Sequence, residues 1–138
     1  MQTPGPDHPI TIDVSPRHIR ARLAHSHHVI LADCEEALVL READLPPVVY
    51  FPRDCVEMAY AGKTQRTSHC PYKGEASYYS FTAEGRVLEN VAWSYEDPYP
   101  AVQSIAGHIA FYPDRGVEIY SVTEEELADR RAEHRPAV

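Results

Sequence analysis

In 138 residues, 13 basic and 21 acidic side chains leave a formal charge of −8, and 43% of the chain is hydrophobic. That length suits one globular domain, and the acidic balance argues against a phosphate-backbone binder, which needs clustered Lys and Arg. No apolar run nears the ~20 residues of a membrane helix, and three isolated cysteines make no disulfide framework.

The opening MQTPGPDHP has no signal-peptide core, so a reducing, cytoplasmic setting is expected. Residues 1–15, rich in Pro, Gly and Asp, read as a loose lead-in to one domain spanning 16–122. From His18 to Leu23 apolar and charged residues alternate, as in a half-buried strand. Further short strands are predicted at residues 27–31, 37–40 and 48–51, too close together for crossover helices, so the pairing should be antiparallel.

Residues 76–82 and 86–93 flank Ala83-Glu84-Gly85, a hairpin loop with a Gly free to adopt positive φ. Asp97-Pro98-Tyr99-Pro100 opens a brief helix near Tyr99–Gln103 that Gly107 can end. A second hairpin is expected between 109–112 and 117–120, turning at Pro113-Asp114-Arg115-Gly116. Thr123-Glu124-Glu125-Glu126 matches a capping box for a polar helix within a 123–138 tail. The fold class is therefore mainly β, antiparallel, with two short helices.

The chemistry concentrates in His69-Cys70-Pro71-Tyr72-Lys73-Gly74, where imidazole, thiol, phenol and amine fall within five positions. Only two lysines occur, Lys63 and Lys73, so an amine beside Cys-Pro-Tyr is a considered placement. A desolvated amine shifts its proton affinity readily, and a nearby cation favours thiolate at Cys70. Lys73, Cys70 and His69 are the candidate catalytic groups. The bland reading is a solvated turn lysine beside a packed cysteine.

Tyr72, Tyr79, Trp93 and Tyr95 are the candidate ligand-binding residues. Nine Tyr against three Phe favour a wall with polar tips, although core packing explains most aromatics. Tyr78 and Tyr79 must face opposite sides of their strand. Tyr79 joins Trp93 and Tyr95 only if the register allows, and a bulge near Asn90 would break that arrangement. No Cys-x-x-Cys pair is present, so no metal and no cofactor are expected. Gly-x-Ser-x-Gly, P-loop and Gly-x-Gly-x-x-Gly patterns are also missing.

Phe51-Pro52, Cys70-Pro71-Tyr72-Lys73-Gly74 with Ala76 and Tyr79, Trp93-Ser94-Tyr95 with Pro98, and Ala110-Phe111-Tyr112 together resemble domain of unknown function family 427 (DUF427), over roughly residues 14–122. The resemblance implies a small β-tent, or Mss4-like, fold in which two antiparallel sheets meet at an angle. Zinc held by paired Cys-x-x-Cys motifs in other proteins of that architecture has no counterpart here. A nucleotidyltransferase-like label attached to the family implies metal and triphosphate, for which this chain has neither an Asp-x-Asp nor a Gly-Ser pair.

Three functions follow for test. The first is a pocket for a small polar organic molecule, with or without turnover. The second is a non-catalytic protein-interaction domain, and the third is nucleotide transfer.

Overall fold

The computed structural model describes residues 1–26 and 28–123. The predicted C-terminal helix after Thr123 lies outside the described residues. Among the described residues ten strands form three antiparallel sheets, so the fold is mainly β. Strands β1 (Ile10–Val14), β4 (Leu38–Glu42) and β5 (Val48–Tyr50) make one sheet, in the order β1-β4-β5. Strands β2 (His18–Leu23), β3 (Ile30–Cys34) and β10 (Val117–Val122) make the second, with β2 central. The third runs β6 (Ala61–Cys70), β7 (Gly74–Ala83), β8 (Arg86–Ser94) and β9 (Ala110–Phe111).

The four-stranded sheet is apolar on both faces, and each face has its own core. Along β7, Tyr79, Phe81 and Ala83 join Leu23, Leu31, Phe51, Val91 and Phe111 in the larger cluster. Ala76 and Tyr78, from the alternate positions, join Leu40, Tyr50, Tyr95, Val102 and Ile105 in the second. Period-two alternation thus divides one strand between two cores. A single bridge, Phe51 to Ile109, ties the β4–β5 hairpin to the far side of the large sheet, each backbone N–H donating to the other's carbonyl at 2.8 Å.

Three expectations change. The lead-in is not loose throughout, because Ile10–Val14 pair with Leu38–Glu42 as β1. The hairpin expected around Pro113–Gly116 does not form: β9 pairs with β8, and β10 crosses to β2, where Val117 packs with Ala21 and Leu23 in the larger core. Strand β6 was not foreseen. It is the polar edge of the large sheet, and none of its residues is fully buried.

Two turns behave as their sequences require. Glu84 (φ 51°) and Gly85 (φ 72°) both adopt left-handed backbone between β7 and β8, the geometry of a tight hairpin. Gly74, at φ 107°, ends the β6–β7 turn in a conformation that L-residues rarely adopt. The expected helix after Tyr99 is a kinked 3₁₀ segment, Pro100–Ile105, which buries Val102 and Ile105. No helix among the described residues is long and apolar enough to cross a membrane.

Candidate functional site

The β6–β7 turn holds Pro71, Tyr72 and Lys73 between paired Cys70 and Gly74. It aims Lys73 inward, against the last residue of β4. There the Lys73 ammonium donates to Glu42 Oε1, and both side chains are about one-tenth exposed. Glu42 has a second partner in His8, whose Nε2 lies 2.7 Å from Oε2. His8 in turn stacks flat on Tyr72, with centroids 3.8 Å apart and planes 5° from parallel. The N-terminal segment is drawn onto the turn, and the Gln2 N–H donates to the Pro71 carbonyl at 2.6 Å.

Burial works to raise the Glu42 carboxyl. The bonds from Lys73 and His8 outweigh it and hold the group below the usual carboxylate range. A charge pair this well buried is costly to desolvate and survives only with complementary partners.

Beside the pair lies a cavity of about 220 Å³, smaller than the roughly 300–1,000 Å³ of drug-sized ligand sites. Leu40, Val48, Leu45 and Pro46 give it an aliphatic side. Tyr50, Tyr78, Trp93, Tyr95 and Tyr112 give it an aromatic one. The Trp93 indole N–H donates to the Tyr50 hydroxyl at 3.3 Å, and its ring packs 4.5 Å from Tyr112. The Lys73 ammonium sits 5.8 Å from the centre of the Tyr95 ring, within cation–π range. Desolvation keeps the Tyr50 and Tyr95 phenols protonated far above the ordinary tyrosine range.

At the Tyr78 and Tyr112 end of the cavity the hydroxyls meet at 3.4 Å, and Tyr78 also shares a 2.9 Å bond with Ser68. Burial pushes the Tyr78 phenol up, but bonds with Ser68, Tyr112 and Arg66 bring it below its ordinary value. Burial raises Tyr112, and the Tyr78 bond adds to that rise. Proton affinities move apart across the two phenols, a common feature of functional sites.

Lys73, Trp93 and Tyr95 therefore converge, as the sequence reading requires, while Tyr79 does not join them. The β7–β8 register shifts between Tyr79 and Phe81, Asn90 takes φ 50°, and Trp93 pairs with Tyr78. A bulge does form near Asn90, with the Asn90 N–H donating to Ser80 Oγ at 2.9 Å, but it shifts the register by two residues and leaves Tyr78, not Tyr79, on the Trp93 face. Tyr79 points into the larger core and places its hydroxyl between Arg53 and Glu96, at 2.8 Å from each.

Tyr72 lies outside the cavity lining, under His8. His69 is exposed and meets Tyr99 at 3.4 Å, and the half-buried Cys70 packs against the second core without lining the cavity. Neither touches the Lys73–Glu42 pair. Glu42, Tyr50, Tyr78 and Tyr112 escaped the sequence reading. For Glu42 the one usable signal was that a buried lysine requires a counter-charge.

Among the described residues no group of three or more His, Cys, Asp or Glu side chains could hold a metal ion. The three cysteines are free, and Cys34 neighbours Cys55. A comparison with curated proteins gives no match. Residues 11–123 match the family model described as a domain of unknown function (DUF427), and the chain belongs to that family. His8, which completes the charge cluster, falls outside the matched span.

Proposed function

We propose that this domain binds a small polar organic molecule in the aromatic-walled cavity beside the Cys-Pro-Tyr-Lys-Gly turn. The observation that carries the reading is the buried Lys73–Glu42 pair at the border of a cavity otherwise lined by aromatic and aliphatic groups. A purely structural ion pair gains from being packed around. One left beside open space offers a donor and an acceptor to an occupant while apolar walls exclude water.

Binding is favoured over covalent chemistry. An ammonium engaged by a carboxylate has no free lone pair for imine formation, and Cys70 does not line the cavity. Nucleotide transfer receives no support from the described carboxylates, which form no metal-holding group. The β-tent description of the fold rests on the family resemblance and agrees with antiparallel sheets packed across two cores. Three unpaired thiols support the cytoplasmic reading.

Trp93 is the chain's single tryptophan and lines the cavity, so its emission reports occupancy directly. A panel of small planar polar molecules, neutral, cationic and anionic, should contain members that change Trp93 emission and show saturation transfer by NMR. Val48→Phe, which fills the aliphatic side, should abolish both signals. A panel with no binders, or binding indifferent to Val48→Phe, would refute the reading.

A further inference from the structure

We propose that the occupant of the cavity is an organic acid, its carboxylate held by Arg66 and Arg115 and its planar body lying along Trp93 and Tyr112. This rests on the cavity-binding reading and names its ligand class. Arg66, on edge strand β6, places its guanidinium carbon 4.8 Å from the centre of the Tyr78 ring. Arg115, from the loop before β10, does the same over Tyr112 at 4.0 Å. Those two tyrosines are the cavity walls whose hydroxyls meet at 3.4 Å, so two cations from separate elements, themselves outside the lining, lie over the wall residues at one end of the cavity.

Their surroundings make the convergence informative. The chain carries a charge of −8, and Arg20, Arg22 and Arg53 each have a carboxylate partner. Arg66 and Arg115 are both exposed; like Arg17, Arg41 and Arg86 they meet no carboxylate within 4 Å among the described residues, but unlike those three they lie over rings that line the cavity. Two like charges beside the same pair of phenols repel one another, and an anion between them would relieve that repulsion.

Enough donors remain on the two arginines. Arg66 gives an N–H to the Tyr78 hydroxyl, and a guanidinium carries several, so both exposed side chains keep N–H groups for a carboxylate. At the opposite end, Lys73 is already neutralised by Glu42, so the ligand's charge belongs at the arginine end. The small volume and the tilted Trp93–Tyr112 pair suit one ring rather than an extended chain.

The test compares benzoate with benzamide, which share shape but not charge, using Trp93 emission at low and high salt. Benzoate should bind at least tenfold more tightly than benzamide, and salt should weaken it. The double variant Arg66→Gln/Arg115→Gln should lose that preference with an unchanged urea midpoint, and Arg66→Lys/Arg115→Lys should retain part of it. Equal binding of the two probes, tighter binding of benzamide, or a preference surviving the glutamine pair would overturn the acid assignment and leave the cavity reading standing. If neither probe binds, the acid assignment falls, and the neutral and cationic members of the wider panel decide the cavity reading separately.

Discussion

Replacing Lys73 by Met removes the ammonium while keeping most of the stem. Glu42, whose side chain is 9% exposed, then keeps only His8, 2.7 Å away and itself 27% exposed. Breaking one side of a buried ion pair typically costs 3–5 kcal/mol; with His8 still in place we expect the low end, about 3 kcal/mol at pH 7.5. That is a large share of the roughly 5–15 kcal/mol that holds an ordinary domain together.

The loss should depend on pH, with a definite sign. In the parent chain the Glu42 carboxyl is depressed below its ordinary value of 4.5, so it contributes stability above that value and loses it as pH falls through the folded-state pKa. In Lys73→Met, desolvation is opposed by His8 alone, and Glu42 takes up a proton more easily than before. Acidification through and below about pH 4.5 therefore removes from the parent a stabilisation that the variant lacks, and the stability gap should narrow between pH 7.5 and 3. Urea denaturation across that range measures it, and Glu42→Gln/Lys73→Met should recover much of the loss at pH 7.5. A neutral-pH cost below about 1 kcal/mol, a gap that stays constant with pH, or a double variant no better than the single would refute the reasoning.

Gly74→Ala should cost about 1–3 kcal/mol of backbone strain at φ 107°, since the added Cβ would meet nothing closer than 3.6 Å; an unchanged urea midpoint would refute this. Rate-resolved alkylation with mass spectrometry should label Cys70 first. Cys34 is buried, and the Cys55 thiol is pushed up to about 12 by burial and by neighbouring Cys34, so faster labelling of either would refute this order.

What could be read in advance was local. The bounds of β2 follow from its alternation, and the two tight turns follow from Gly74 and Glu84-Gly85. Strand β6 escaped because AGKTQRTSHC is polar throughout, and an edge strand open to solvent shows no apolar period. The β9–β10 hairpin was a false inference from good turn residues: Pro113–Gly116 can reverse the chain, but local signals say nothing about a free edge on β2.

The exchange of Tyr79 for Tyr78 in the cavity wall has a single cause. The two-residue Glu84-Gly85 loop pairs Ala83 with Arg86 and so sets odd positions of β7 opposite even positions of β8, and the Asn90 bulge, where residues 89–91 oppose Ser80 alone, leaves that parity intact, so Trp93 shares its face with Tyr78. Lys73 was visible because lysine is rare here. Glu42 was hidden among 21 acidic residues until β4 brought it to the turn.

The pairing of β2 with β10 also bears on the order in which the protein can assemble. Ile19 must wait for Ser121, and Leu23 for Val117, so the central strand of its sheet keeps one side open until nearly the whole described chain has been synthesised. Closing so long a loop is slow, and in the interval β2 is a template that another nascent chain can extend. Arg20 and Arg22, which interrupt its apolar residues, place charge on that waiting edge and make a stray partner strand costly to seat. In the finished fold the same two side chains bind Asp33 and Glu118, so the charge that guards the open edge is neutralised once β3 and β10 are in place.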